Sequence, residues 1–369
     1  MGRPPFPFTR NPPPKEEEML DLSSKTTAAL LPTDILFQTP YWARVKSRLG
    51  LTPLAYDIAS TGPRGDVLVL LKPCGAKKVA IVPQGPEHAP DQDSYGPFLE
   101  DFSLALARQL GPDVAFIRYD LPWESPYAGE MSAGERTAFP EPRLRELRMN
   151  MGTKHWNIRK SFEDMTVASS LVVDIAGSED EILGRMKPKT RYNIGLARRK
   201  GVTVRAVGPE SLPDFHALYR QTALRNGFRP CGYTHFATLF HCLAAGRGGS
   251  ELLFLLAGHG RDTLAGAIVG ISGQAANFLY GASADAKRNL MAPSLMHWTA
   301  MLQARQRGCT TYEMGAVSPG VDPSHPFYGL YRFKTGFGGR IEYRSGSWDY
   351  PLDQDAYRDF CNAESLYRA

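Results

Sequence analysis

Long apolar runs are missing from this sequence. The strongest, Leu252–Ala257, falls far short of the roughly 20 residues that a membrane-spanning helix needs. The N-terminus shows no apolar core of a secretory signal, and Phe6 stands where a myristoylation signal wants Ser or Thr. Cysteine is scarce: Cys74, Cys231, Cys242, Cys309 and Cys361 are odd in number and scattered, which argues against a disulfide framework and fits a reducing compartment. None of the eight histidines lies three or four residues from another, and His235 and His241 are six apart, so no metal site is expected. With 43% apolar and 22% charged residues over 369, the chain reads as globular, cytoplasmic and long enough for two domains.

What the sequence does have is basicity gathered in one place. Lys187–Gly201 holds six basic residues (Lys187, Lys189, Arg191, Arg198, Arg199, Lys200) and no acidic one. Pro188 disfavours helix at Lys187, Thr190 can cap and Gly201 supplies the stop, which predicts a helix over about residues 191–200. Arg191 and Arg198 then share a face, while Ile194 and Ala197 turn inward. Cations in the first helical turn oppose the macrodipole, a local cost that an anionic ligand would offset. From Arg185 to Gly232 there are eleven Lys plus Arg and two acidic residues, a net of +9 in a chain that totals +5. Such concentration points to a phosphate-bearing partner, whether nucleotide, pyrophosphate-linked lipid or RNA. The plainer alternative is a solvated, charged helix.

Residues 1–33, with seven prolines and Glu16-Glu17-Glu18, read as a disordered leader. A helix is expected over Pro40–Leu49, a hairpin from Asp66–Leu71 and Lys78–Val82, a helix over Gly96–Leu110 and a strand at Val114–Tyr119. Residues 124–164 have no clean period and read as a loop-rich excursion between domains. A strand at Val167–Ile175 opens a second unit, followed by a capping box at Ser178–Glu181, the basic helix, a strand at Val202–Val207 and helices near 211–225 and 234–243. Three strands (251–257, 263–272, 275–281), a helix over Pro293–Arg307, a strand at Thr310–Met314, a glycine-rich segment and a strand at Arg340–Trp348 complete it. This order indicates an α+β fold with mixed, mostly antiparallel sheets in two related halves. The halves are placed at 34–165 and 166–349, with 350–369 returning to the first.

Several stretches together carry a family resemblance. Lys-Pro-Lys-Thr-Arg-Tyr-Asn-Ile (187–194) running to Arg-Lys-Gly-Val (199–202), Thr-Ala-Leu-Arg-Asn-Gly-Phe (222–228), Leu-Tyr-Gly-Ala-Ser (279–283) and Gly-Leu-Tyr-Arg-Phe-Lys-Thr-Gly-Phe-Gly-Gly (329–339) occur in order. With Gln38 to Lys46 around Trp42, they resemble the Fem (FemABX) family of peptidoglycan-bridge aminoacyltransferases. The resemblance implies two acetyltransferase-like (GNAT) domains in tandem. It implies transfer of an amino acid from aminoacyl-tRNA to an amine on the stem of a muramyl pentapeptide carried on UDP or a lipid pyrophosphate. No long heptad stretch is present, so the type without a coiled-coil arm is implied, needing no cofactor. A cytoplasmic monomer is expected, with room for peripheral contact with the inner membrane face.

Attack of an amine on an aminoacyl ester needs a docked ester and help for the tetrahedral oxyanion. Lys334, among five glycines, suits that role as a point charge, and by resemblance Phe333-Lys334 is the family's active-site pair; a surface lysine in a loop is the bland reading. By resemblance Lys46 and Arg225 meet over the pyrophosphate, with Trp42 and Tyr192 also substrate-binding. Tyr280 either orients the stem peptide or is a core tyrosine, and Asp120 either is a base or stem-binding acid or caps a turn before Leu121-Pro122. Arg191, Arg198, Arg199 and Lys200 are candidates for tRNA phosphate contacts, for bracing the second domain or for lining the precursor cleft. Three rivals stand beside this reading: an acyl-CoA N-acyltransferase, a non-catalytic RNA- or anionic-surface-binding protein, and a protein aminoacyltransferase. The first would want a glycine-bearing pyrophosphate loop, and residues 283–293 contain no glycine.

Overall fold

The computed structural model describes residues 20–59, 65–244 and 249–366. The first half comprises β1 (Asp21–Lys25), α1 (Pro40–Arg48), β2 (Thr52–Ala59), β3 (Gly65–Cys74), β4 (Lys77–Val82), α2 (Tyr95–Leu110) and β5 (Val114–Glu124). A connecting stretch carries α3 (Ala128–Ser132), α4 (Pro142–Met149) and β6 (Arg159–Lys160). The second half runs β7 (Ser169–Asp174), α5 (Glu179–Arg185), α6 (Pro188–Arg199), β8 (Thr203–Ala206), α7 (Leu212–Asn226), α8 (Tyr233–Ala244), β9 (Ser250–His259), β10 (Asp262–Ser272), β11 (Ala275–Ser283), α9 (Ala292–Gln306) and β12 (Thr311–Ala316). Last come α10 (Tyr328–Lys334), β13 (Arg340–Pro351) and α11 (Gln354–Leu366).

These strands form one mixed sheet in the order β1-β2-β3-β4-β5-β13-β7-β12-β11-β10-β9-β8, with β6 also paired to β13. Pairing is antiparallel except at β4–β5 and β11–β12. Each exception is spanned by a helix, α2 or α9, as a parallel pair requires. The repeated hairpin–helix–strand unit is the tandem GNAT-like arrangement. Strand β13 joins the halves, its N-terminal residues on β7 and its C-terminal residues on β5. Helix α11 then packs Tyr357 and Phe360 against Phe116 of β5.

Three stretches depart from expectation. Within the expected leader, residues 1–19 lie outside the described residues, whereas Asp21–Lys25 pairs with β2 and Lys25 bridges Asp57 and Asp66. The segment 124–164 contains two short helices and a strand, because its buried Met131, Arg145 and Met149 anchor to β13 and α2 rather than following one periodic face. The segment around Lys334 is helical from Tyr328 despite Gly329.

A shared core locks the halves together. Tyr41 and Val45 of α1 and Leu68 and Leu70 of β3 pack with Phe215, Phe236 and Leu239 of α7 and α8. Each such side chain contributes about 1.5–3 kcal/mol on burial. The Tyr41 hydroxyl also donates to the Leu239 carbonyl at 3.1 Å. This joint fixes α1, and with it Trp42 and Lys46, against the second half.

Candidate functional site

The site follows from how β11 and β12 part. They pair in parallel only from Ala275–Asn277 to Thr311–Glu313. Beyond that, β11 continues along β10 to Ser283 and β12 along β7 to Ala316, so a wedge opens between them. A bulge between Glu313 and Gly315, with Gly315 at φ 74°, turns the β12 edge; a side chain there would be strained and would stand 3.8 Å from the Phe278 carbonyl oxygen. A cleft of about 390 Å³ fills this wedge and extends to the first half. Lys46, Asp120, Tyr280, Glu313 and Arg344 supply its charged and phenolic groups, and Trp42 part of its apolar wall.

Asp120 sits inside β5, which continues through Leu121-Pro122 to Glu124, so it is not a turn residue. Its carboxylate is buried, accepts from the Thr166 hydroxyl at 2.8 Å and the Ser347 hydroxyl at 3.2 Å, and has its pKa raised to about 6 by burial. Lys46 stands 4.7 Å from the centre of the Trp42 ring, and burial lowers its pKa. Tyr280 bonds His235 Nε2 through its hydroxyl at 2.7 Å, with burial pushing its pKa up. Among the described residues, Trp42 Nε1, Ser170 Oγ and Asn277 Nδ2 are buried on the cleft wall without a hydrogen-bond partner.

Lys334 lies behind the β12 edge. Only 6% exposed, it donates from Nζ to the Ala316 carbonyl at 2.7 Å, and burial pulls its pKa down to about 8 against the opposing pull of Glu313. Buried His297, bonded to the Tyr312 hydroxyl at 3.1 Å, is held neutral by burial and by Lys334, with its pKa lowered to about 3. The neighbouring residue, Phe333, faces a different cavity of about 220 Å³ at the N-terminus of α9. That cavity is lined by Asn193, Lys287, Arg288 and Met291. Lys287 and Met291 adopt left-handed φ of 52° and 56°, a conformation that glycine adopts more readily, so side-chain-bearing residues make this turn.

The basic helix α6 begins at Pro188 rather than near Arg191, because proline at the first helical position is pre-set for helix and Lys187, not Thr190, is the cap residue. Its start is tied to the Lys334 segment: Lys187 N–H donates to the Gly336 carbonyl at 2.8 Å, and a Cβ on Gly336 would fall 2.2 Å from Thr190 Oγ1. Arg191 turns back to the carbonyls of Leu183, Gly184 and Met186, closing α5. Arg198, Arg199 and Lys200 face solvent. Tyr192 is exposed on α6, flanked by Lys189 and Arg199, and lies away from the cleft.

Arg225 is not among the residues that line this cleft. Its guanidinium binds Asp285 Oδ1 at 2.6 Å and both the carbonyl and hydroxyl of Ser283, and so braces the far end of β11. The cation that joins Lys46 in the cleft is Arg344, paired with Glu313 at 2.8 Å. Sequence reasoning missed Arg344 and Glu313 because each reads alone as a strand residue of alternating exposure. His235 was visible only as an unconvincing metal ligand. Among the described residues no cluster of three His, Cys, Asp or Glu could hold a metal.

Comparison with known proteins follows the same architecture. The crystal structure of FemX superposes with a TM-score of 0.70 at 19% identity, covering 91% of this chain and 96% of that one. A tandem GNAT protein from the clavulanic acid biosynthesis pathway gives 0.53 at 12% identity, covering 90% and 98%. Both likenesses concern the fold. In sequence, the chain is 22% identical over 275 residues to lipid II:glycine glycyltransferase of Staphylococcus aureus (strains USA300 and NCTC 8325), covering 56% of this chain and 65% of that protein. The chain thus spans less than two thirds of the length of these relatives. The FemAB family model matches residues 128–243 and 254–363. With more than half of its residues matched in this way, the chain belongs to the FemAB family.

Proposed function

We propose that the protein is an aminoacyltransferase of peptidoglycan bridge formation, moving an amino acid from aminoacyl-tRNA to the stem-peptide amine of a muramyl pentapeptide. The observation that carries this reading is that Phe333 lines the α9 cavity while the next residue, Lys334, hydrogen-bonds Ala316, which lines the cleft. The wedge takes the acceptor and the α9 cavity takes the aminoacylated end of the donor. Exposed Arg198, Arg199 and Lys200 meet tRNA phosphates on the donor side. The lipid II:glycine glycyltransferases that the chain resembles favour a lipid-linked acceptor.

In this reading the unpaired donors Trp42 Nε1 and Asn277 Nδ2 bind acceptor groups, since buried polar atoms are otherwise costly. Lys46 meets the acceptor's diphosphate, and Asp120 holds the stem amine. That amine attacks the ester carbonyl carbon and its proton passes to Asp120; as the tetrahedral intermediate collapses the C–O bond to the terminal ribose breaks, and Asp120 returns the proton to that oxygen, which leaves as a hydroxyl. Lys334 has used one of three N–H donors on Ala316, and another meets the oxyanion as charge develops.

One feature argues against acyl-CoA as donor: the glycine-free turn at 283–293. Incubation with muramyl precursor and charged bulk tRNA, followed by mass analysis, tests the reading. It requires a mass gain of one amino-acid residue that RNase abolishes. Acetylation from acetyl-CoA in place of that gain would select the rival.

A further inference from the structure

Two consecutive serines on β7 are buried with their hydroxyls unpaired. Ser169 is 1% exposed and Ser170 2%, and neither Oγ has a hydrogen-bond partner among the described residues. Successive side chains of a strand point to opposite faces of its sheet. Ser170 lines the cleft and Ser169 does not. Ser170 stands opposite Ala316 on β12 and Glu342 on β13, yet Glu342 turns its carboxylate to Arg340 and Arg344. A buried hydroxyl left in this state costs stability, so its retention on a cleft wall points to a ligand that satisfies it.

The surroundings say what kind of ligand group that is. Strands β5, β13, β7, β12 and β11 are consecutive in the sheet, and each puts a polar side chain on the cleft: Asp120, Arg344, Ser170, Glu313 and Asn277 in that order. The charged members are already engaged. Arg344 pairs with Glu313 at 2.8 Å, and Asp120 accepts from Thr166 and Ser347. The neutral members are the ones left open, Ser170 at Oγ and Asn277 at Nδ2. A hydroxyl and an amide N–H suit uncharged acceptors such as peptide carbonyls. Strand β12 lies between β7 and β11, which sets the two open groups on the order of 10 Å apart. One carbonyl cannot reach both, whereas an extended peptide rising about 3.3 Å per residue can.

We infer that Ser170 is a specificity-determining residue that, with Asn277, holds peptide carbonyls of the acceptor's stem. The Ser170 hydroxyl donates to one carbonyl and Asn277 Nδ2 to another, so the cleft reads the stem's backbone as well as its amine and diphosphate. The inference rests on the proposed acceptor, but its test needs no turnover. Ser169 supplies the control. Wild type, Ser169→Ala and Ser170→Ala are titrated calorimetrically with a synthetic stem pentapeptide and with UDP-linked muramic acid, which lacks the peptide. Both variants should melt at or above the wild-type temperature, because each removes an unpaired buried hydroxyl. Ser170→Ala should bind the pentapeptide about fivefold or more weakly and UDP-linked muramic acid as wild type does. Ser169→Ala should bind both as wild type does. Unchanged pentapeptide binding by Ser170→Ala, an equal loss of both ligands, the same loss in Ser169→Ala, or absence of pentapeptide binding by wild type would each overturn the inference. Ser170-dependent pentapeptide binding without aminoacyl transfer to any precursor would count against the proposed function and leave the peptide subsite standing.

Discussion

The ammonium of Lys334 lies 2.7 Å from the carbonyl oxygen of Ala316, on the stretch of β12 that β11 has left behind. That hydrogen bond fixes a cation behind the wall of the wedge between β11 and β12 while its neighbour Phe333 faces the α9 cavity. Burial makes the cation expensive and so readily titrated, with a pKa of about 8.

The pH dependence of turnover follows. Asp120, with its pKa raised to about 6, must be ionised, and Lys334, lowered to about 8, must be protonated. The rate of the bound complex should therefore rise through about pH 6 and fall above about pH 8. Lys334→Arg keeps its charge over the whole range, so its profile should lose the alkaline limb. An unchanged alkaline limb in that variant would assign the limb to another group.

Stability should move opposite to activity at Asp120. Its folded pKa is above the ordinary 3.8, so the folded state holds the proton more tightly and loses stability as pH rises from about 3.8 to 6. Above that window Asp120→Asn should stabilise the protein, by on the order of 1–3 kcal/mol, while lowering turnover. The gain should vanish below the window. Thermal melts at pH 7 and pH 3.5, with turnover at pH 7, check both signs.

Substitution of Lys46 should separate acceptor recognition from chemistry. Lys46→Met should raise KM for a pyrophosphate-linked precursor by about tenfold or more with kcat little changed, since the substitution removes a charge-assisted hydrogen bond to the diphosphate. The same variant should barely affect a stem peptide without the diphosphate. Equal effects on both acceptors would place the anion site elsewhere.

The exposed end of α6 should act through salt. Replacing Arg198, Arg199 and Lys200 by Gln should weaken tRNA binding and flatten the log–log dependence on salt by about 0.7–1 for each phosphate no longer neutralised. The melting transition should hold, because all three side chains face solvent. An unaltered salt slope would leave α6 as a brace for the Lys334 segment.

Much of this was legible in the residues themselves. The capping box at Ser178–Glu181, the stop at Gly201 and the hairpin through Gly75 each rest on local chemistry, and each is found in the structure. Helix α2 shows the same for apolar spacing, beginning one residue before Gly96 and ending at Leu110. The failures are long-range. β1 is a polar stretch, held by pairing with β2 and by the Lys25 bridges to Asp57 and Asp66. Arg225 ends a helix as expected, yet which carboxylate it meets depends on where β11 turns, and Asp285 is nearest. The pairing of Glu313 with Arg344 needs β12 and β13 to flank β7, a fact of sheet order that no local pattern encodes.

The most direct measurement is single-turnover transfer by Lys334→Met, with binding of charged tRNA and precursor measured on the same protein. The account predicts dissociation constants within about twofold of wild type and a transfer step slowed by on the order of 10²–10³. A normal transfer rate, or a loss confined to binding, would contradict it.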